Sequence, residues 1–366
     1  MDNSFKSEVE AVQTVPPSKI TDPKKVREVA VATKNMKDGG LDIFGECLHV
    51  VLYYNKACEE DSGWLHAGWM KDASLAGALS EQPFLAGRLQ KRKADDGGEE
   101  VMEIVSNDAG LRLVEAKIGM SLSKFLEVKK SREEAEAQLV FWNDIDGQNP
   151  QFCPLVYVQV TKFDCGGYSF GISCSLLVAD LFLKGNFLKR WAYIHRKMLS
   201  ENEPKTPIFY LPKLKKDGLS VIANFISSTP NKNHGQTLFF TTKSEISEED
   251  FTALAWLCVD EAETKIGTKM TNRDYFSLFV NQTSDIIKVN KCLKTDLVKP
   301  KIGLKSQIVG SSWKDFGENE VEFREGNQTV DVSHWIGSGF GGALVMAIPY
   351  VSGEDSDVKI IVRVAN

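Results

Sequence analysis

Residues 154–196 read PLVYVQVTKFDCGGYSFGISCSLLVADLFLKGNFLKRWAYIHR, and a change of hydrophobic period inside this stretch decides the fold. Leu155 to Thr161 and Tyr168 to Ser173 are rich in β-branched and aromatic residues, and Asp164-Cys165-Gly166-Gly167 between them supplies turn residues. The first half therefore predicts a β-hairpin. Beyond it Leu183, Phe187, Leu188, Trp191, Ile194 and Met198 recur at steps of three and four, the spacing of one helix face ending near Leu199. A strand thus runs into a helix around Ser175 to Leu181.

Working outward, Cys47 to Tyr54 reads as a strand, and Trp69, Leu75, Leu79 and Leu85 predict a helix that turns into a strand at Pro83 to Leu89. Lys91 to Glu100, centred on Asp95-Asp96-Gly97-Gly98, has the composition of a hairpin connection to Val101 to Ser106. Ser200 to Gly218 carries Pro204, Pro207 and Pro212 without apolar periodicity. A domain boundary is expected there, giving an N-terminal lobe over 1–200, a crossover over 201–220 and a C-terminal lobe over 221–366. Further on, a strand is expected over 237–242, and Ser247 with Asp250 resembles a capping box opening a helix through Trp256 and Ala262. Late strands are expected at 302–313, 343–350 and 358–364.

The 366 residues, 42% hydrophobic and 26% charged, read as an ordinary globular chain of two domains or one large one. Lys and Arg number 44 against 50 Asp and Glu, a formal charge of −6, so no basic surplus points to nucleic acid. No apolar run has the length of a transmembrane helix, and Met1 to Lys25 is polar, unlike a secretory leader. The expectation is a cytoplasmic protein with seven free cysteines, each packed as a small buried hydrophobe.

Gly337-Ser338-Gly339-Phe340-Gly341-Gly342 satisfies G-x-G-x-x-G, but Ala343 to Tyr350 reads as a strand, and too few residues follow for the helix and distal carboxylate of a dinucleotide unit. A turn between strands is the better reading. The P-loop and the G-x-S-x-G elbow are absent, and the cysteines and five histidines show no metal-ligand spacing, so neither a metal nor a bound cofactor is expected.

Three segments in order, Pro83-Phe84-Leu85-Ala86-Gly87-Arg88-Leu89, the junction at 175–192 with Asp180 before Trp191-Ala192, and Asp315-Phe316-Gly317, resemble the plant BAHD acyltransferase family. The wording of Cys153 to Gly167 and of Asn107 to Ala116 is similar to its eceriferum-type branch. The resemblance implies an α/β fold like that of chloramphenicol acetyltransferase: two lobes with mixed sheets and flanking helices, and a channel between them. It implies a His-x-x-x-Asp-Gly motif whose histidine is the general base of acyl-CoA-dependent transfer, with acyl-CoA as co-substrate. Counting back from Asp180, that position is Leu176, which can accept no proton. Leu181 replaces the motif glycine, and Glu318-Asn319 follows Gly317 where the family has Trp-Gly. The resemblance further implies segments between Trp256 and Asp315, and a final helix after Val364, that this sequence does not show.

For Asp180 two structural roles stand open, an ion pair to an arginine such as Arg273 or an N-cap of the following helix. His195 is expected to pack or lie on the surface, and His334 to lie near the last glycine-rich turn. The expected function is that of a non-catalytic or accessory protein in very-long-chain fatty acid and wax metabolism. It would be a monomer, peripheral to the endoplasmic reticulum, partnered by a fatty-acid elongase condensing enzyme. The alternative is an acyl-CoA-dependent transferase, or a lyase-like derivative, using a different base.

Overall fold

The computed structural model describes residues 5–31, 43–93, 100–201, 235–267, 275–293, 305–316, 321–337, 342–352 and 355–365, apart from positions 60, 62, 133, 185, 244–245, 248–249, 282 and 284 within them. In chain order the strands are β1 (Glu8–Val15), β2 (Val26–Val31), β3 (Cys47–Tyr54), β4 (Arg88–Lys93), β5 (Glu100–Val105), β6 (Leu111–Ile118), β7 (Val156–Phe163), β8 (Tyr168–Ser175), β9 (Gly235–Lys243), β10 (Tyr275–Asn281), β11 (Ile286–Leu293), β12 (Ile308–Ser311), β13 (Thr329–Gly337), β14 (Ala343–Ser352) and β15 (Asp355–Ala365). The helices are α1 (Gly63–Trp69), α2 (Leu75–Glu81), α3 (Leu122–Ser131), α4 (Glu134–Ala137), α5 (Ala179–Lys184), α6 (Phe187–Glu201) and α7 (Asp250–Ile266).

The strands form two mixed sheets, a six-stranded one in the order β1-β6-β7-β8-β3-β13 and a nine-stranded one in the order β12-β9-β15-β14-β10-β11-β2-β5-β4. Pairs β6 with β7, β10 with β14 and β11 with β2 are parallel, and the remaining pairs are antiparallel. This is the expected α/β architecture of mixed sheets with flanking helices. Each sheet draws strands from both sides of the 201–220 segment. Strands β2, β4 and β5 join the larger sheet, and β13 crosses back to edge the smaller one. Residues 202–220 themselves lie outside the described residues.

Side-chain alternation assigns each face. Leu344, Met346 and Ile348 of β14 join the core that also contains Leu48, Val50 and Leu52 of β3, whereas Val345 and Ala347 pack toward α7. The main core therefore lies between the two sheets, shared with α1, α2 and α6. A smaller cluster covers the far face of the six-stranded sheet, where Val51 and Tyr53 meet Phe125 and Leu139. Gly171 of β8 lets the 139–140 segment approach closely, since a Cβ there would stand 1.7 Å from the Leu139 carbonyl oxygen.

Four details depart from the sequence reading. The helix expected over 183–199 is two helices, broken where Asn186 adopts φ +48°, a left-handed conformation that asparagine tolerates better than most residues. A π-helical turn, Met70–Ser74, separates α1 from α2. The strand expected over 302–313 is confined to β12, preceded by a 3-10 turn at Lys305–Gln307, with 302–304 outside the described residues. Cys165 is exposed and Cys58 and Cys153 are half-buried, because they sit in turns and loops; only Cys47, Cys174, Cys258 and Cys292 are buried.

Candidate functional site

Strand β8 ends at Ser175, whose amide bonds the Leu155 carbonyl at 2.9 Å and whose hydroxyl accepts the Leu177 amide at 3.3 Å. Val178 N–H then bonds the Ser175 carbonyl at 3.0 Å, and the chain enters α5. Leu176, at the junction, is 1% exposed and belongs to the core between the sheets with Leu48, Cys174 and Phe182. Its amide reaches the Glu46 carbonyl at 3.2 Å. The position expected to carry a base is thus filled by an aliphatic side chain in an apolar setting.

Asp180 stands one turn on. Its Oδ1 accepts Arg27 Nη1 at 2.9 Å and its Oδ2 accepts Arg27 Nη2 at 3.0 Å, a bidentate pair with both side chains buried. Arg27 Nη2 also donates to Asn281 Oδ1 at 2.6 Å. Of the two roles open in sequence, the geometry realises the ion pair, and its guanidinium comes from β2. Arg273 lies outside the described residues. Because Arg27 and Asn281 belong to the nine-stranded sheet and Asp180 follows β8 of the six-stranded one, this cluster ties the two sheets together. Two donors within it, Arg27 Nε and Asn281 Nδ2, have no hydrogen-bond partner among the described residues.

Asp315 belongs to a separate, exposed cluster. Its Oδ2 accepts the Ser312 amide at 2.6 Å and the Ser311 and Ser312 hydroxyls at 2.8 and 3.0 Å, capping the 3-10 turn Trp313–Phe316. The Ser312 amide, followed by these hydroxyls, holds its carboxyl below the usual range. Phe316 ends that turn, and Gly317 with Glu318-Asn319 lies outside the described residues. Trp313, in contrast, is 5% exposed and joins the same inter-sheet core as Leu176.

The remaining imidazoles were scattered in sequence. His49 of β3 is fully buried on the sheet face opposite Leu48, with Nε2 3.0 Å from Cys47 Sγ and Nδ1 2.8 Å from Ser173 Oγ. Burial lowers it to about 3, and burial raises the Cys47 thiol, so both are neutral and neither is a poised base or nucleophile. Gly337, the first glycine of the G-x-G-x-x-G string, ends β13 beside this pair; a Cβ there would stand 2.7 Å from His49 Nε2. Close packing accounts for that glycine. His195 is fully buried on α6, bonded to His66 and Ser74. His334, on β13, is half-buried where the sheets meet, stacked on Trp313 at 4.6 Å and edge-on to Phe239 of β9 at 5.0 Å.

Among the described residues no cluster of three or more His, Cys, Asp or Glu could hold a metal ion, and no helix is long and apolar enough to cross a membrane.

The Transferase family profile matches residues 40–217, a span that contains Leu176, Asp180 and the turn from β8 into α5. Protein ECERIFERUM 2 of Arabidopsis thaliana is 26% identical over 139 residues, 37% of this chain and 32% of that protein. Protein ECERIFERUM 26 of the same plant is 32% identical over 109 residues, 30% and 24% of the two chains, and Brassinosteroid-related acyltransferase 1 is 38% identical over 110 residues, 29% and 24%. The matched stretches thus span a third or less of these relatives. Among solved structures, Vinorine Synthase superposes with a TM-score of 0.46 at 15% identity, covering 99% of this chain and 95% of that one. The chain thus resembles the plant BAHD acyltransferases, and within them the eceriferum-type proteins.

Proposed function

We propose that this chain is a BAHD-type protein that does not use the family's histidine chemistry and serves as a binding or accessory partner in very-long-chain fatty acid and wax metabolism. The observation that carries the reading is Leu176, 1% exposed among aliphatic and aromatic side chains where the resemblance implies the general base. Asp180 has each of its oxygens bonded to Arg27 and is buried, which supports a structural role for it. The likeness to the eceriferum proteins supports placing the chain in that branch; a condensing enzyme of fatty-acid elongation as partner and a station at the endoplasmic reticulum belong to the proposal.

A second reading, an acyl-CoA-dependent transferase with a relocated base, is favoured by one observation: His334 is a half-buried imidazole at the meeting of the two sheets. One experiment separates the two. The purified chain, Leu176→His and His334→Asn are incubated with a panel of acyl-CoAs and hydroxylated or amine acceptors. Turnover by the wild type, lost in His334→Asn, overturns the accessory reading; turnover gained only in Leu176→His supports it. Co-expression with a condensing enzyme completes the test, and failure both to co-purify and to alter product chain length counts against the partnership.

A further inference from the structure

On the outer side of α6 lies a cleft of about 500 Å³, lined by neither Leu176 nor His334. One wall is the last turns of the helix, with Tyr193, Arg196, Lys197 and Ser200, and the other is the corner that carries Arg324 and Glu325. On a helix those four residues share the face opposite Trp191 and His195, which are buried. The walls thus bring together three cations, Arg196, Lys197 and Arg324, and one carboxylate, Glu325, in a chain whose formal charge is −6.

The corner facing α6 is tied down from within. The Asn327 amide bonds the Arg324 carbonyl at 3.0 Å, and Gly326 between them has φ +73°, the third position of a type II turn, which favours glycine. Asn327 Nδ2 anchors the turn, 2.8 Å from the Asn55 carbonyl, 3.1 Å from Tyr168 Oη and 3.3 Å from Asp61 Oδ2. Tyr54 donates to the Val321 carbonyl at 2.8 Å, and the Phe323 ring stands edge-on to Trp191 at 4.8 Å. Buried side chains therefore fix the backbone that presents Arg324.

The cations are only partly committed. Arg324, half-buried, makes no side-chain hydrogen bond or ion pair among the described residues, so its whole donor fork is available. Asp61, the buried carboxylate behind the turn, spends its oxygens on His66 at 2.7 Å, on the Ala57 amide at 2.9 Å and on Asn327. Arg196 gives Nη1 to Glu322 at 3.2 Å and keeps Nε and Nη2 unspent. Lys197 meets Glu201 at 3.7 Å with both side chains more than half exposed, an ion pair of small worth. Two features oppose an anion, the exposed Glu325 on the rim and the terminal carbonyls of α6. Solvent screens the first, and the field of the second fades within the last turn, where Ser200 Oγ donates back to the Lys197 carbonyl at 2.9 Å.

We infer that this cleft is a binding site for a phosphomonoester group, held between the guanidinium forks of Arg324 and Arg196 with Lys197 beside them. A carboxylate has two oxygens and is filled by one fork, whereas a phosphomonoester has three terminal oxygens and can take a fork from each wall. A guanidinium presented by a fixed turn has less freedom to lose on binding than one on a mobile loop. The phosphate belongs either to a soluble compound or to a phospholipid headgroup, since both offer the same oxygens. The site lies outside the inter-sheet core, so it stands whether or not the chain transfers acyl groups.

Inorganic phosphate titrated into the whole chain, followed by its phosphorus NMR line width, should give saturable broadening. Arg324→Gln should weaken that binding about tenfold or more, and Arg324→Lys, which keeps the charge and loses the fork, by a smaller factor. Lys130→Gln, which removes a cation from the exposed face of α3, should change it less than about twofold. Vesicles of phosphatidylcholine with one-fifth phosphatidic acid identify the source. Co-sedimentation that is lost in Arg324→Gln assigns a lipid headgroup, and Arg324-dependent phosphate binding without such a loss assigns a soluble phosphomonoester. Absence of saturable phosphate binding overturns the proposal. So does unchanged binding in Arg324→Gln, or a weakening no larger than that in Lys130→Gln, which would reduce the effect to net charge.

Discussion

Replacing Asp180 by asparagine tests what holds the two sheets together. The amide keeps the shape of the carboxylate but removes its charge and turns a donor toward one Arg27 nitrogen, leaving a guanidinium that is itself fully buried with Asn281 Oδ1 as its remaining strong acceptor. Removing one partner of a buried pair costs about 3–5 kcal/mol, a large share of the 5–15 kcal/mol by which domains are stable. The opposite single change, Arg27→Met, strands the carboxylate instead, and a carboxylate can escape by protonation where a guanidinium cannot. The double variant Arg27→Met/Asp180→Leu removes both charges and should recover all but about 2 kcal/mol, the remainder falling on the Asn281 amide. Urea unfolding followed by tryptophan fluorescence at pH 7 and pH 5 measures all four corners of the cycle. A loss below about 1 kcal/mol for Asp180→Asn, or additive single losses with no coupling, refutes the assignment of this pair as the tie between sheets.

Other consequences are simpler. His49, held at about 3 by burial, cannot take up the proton that its unfolded form binds below pH 6.5, so it lowers stability as pH falls from 6.5, by about 2 kcal/mol at pH 5; in His49→Gln that part of the pH dependence should be absent from the urea midpoints. Gly171→Ala drives a methyl into the Leu139 carbonyl and should cost about 1–3 kcal/mol, read as a lowered urea midpoint. Leu176→His places an imidazole in the inter-sheet core and should cost about 1–3 kcal/mol at pH 7, with a further loss in acid. Ser121→Ala removes the oxygen that caps the first turn of α3 through the Lys124 amide, and should cost about 1 kcal/mol in the same assay.

Period and composition exposed much of the fold. Strands β3, β7, β8, β14 and β15 announce themselves as apolar, β-branched runs bounded by turn residues, and α6 by steps of three and four. Sheet membership did not show, because it depends on pairings across the chain: β13 lies more than 270 residues from its partner β3. Arg27 was equally hidden beside Lys24 and Lys25, where a basic residue reads as surface. Its signal was phase: in Val26-Arg27-Glu28-Val29, positions 27 and 29 are the buried ones, so the arginine stands in the inward register of an alternating strand. For the His66–His195 contact no local signal exists, since the two rings are separated by 129 positions.

What distinguishes this junction is that the aspartate's task is separable from position 176. Asp180 spends both oxygens on a guanidinium from the other sheet, and that contact depends on where β2 and α5 lie, not on a proton acceptor four residues upstream. An aliphatic residue at 176 can therefore fill the inter-sheet core without disturbing the tie. The fully buried imidazoles are spent in the same manner: His49 on Cys47 and Ser173, His66 and His195 on each other, on Asp61 and on Ser74. For His49 and His195 burial lowers the ring below the near-neutral range that acid–base catalysis requires, and what they contribute is packing and hydrogen bonds. Among the described residues His334, stacked on Trp313 and edge-on to Phe239, is the half-buried imidazole where the two sheets meet, which is why the transferase reading is tested at that position.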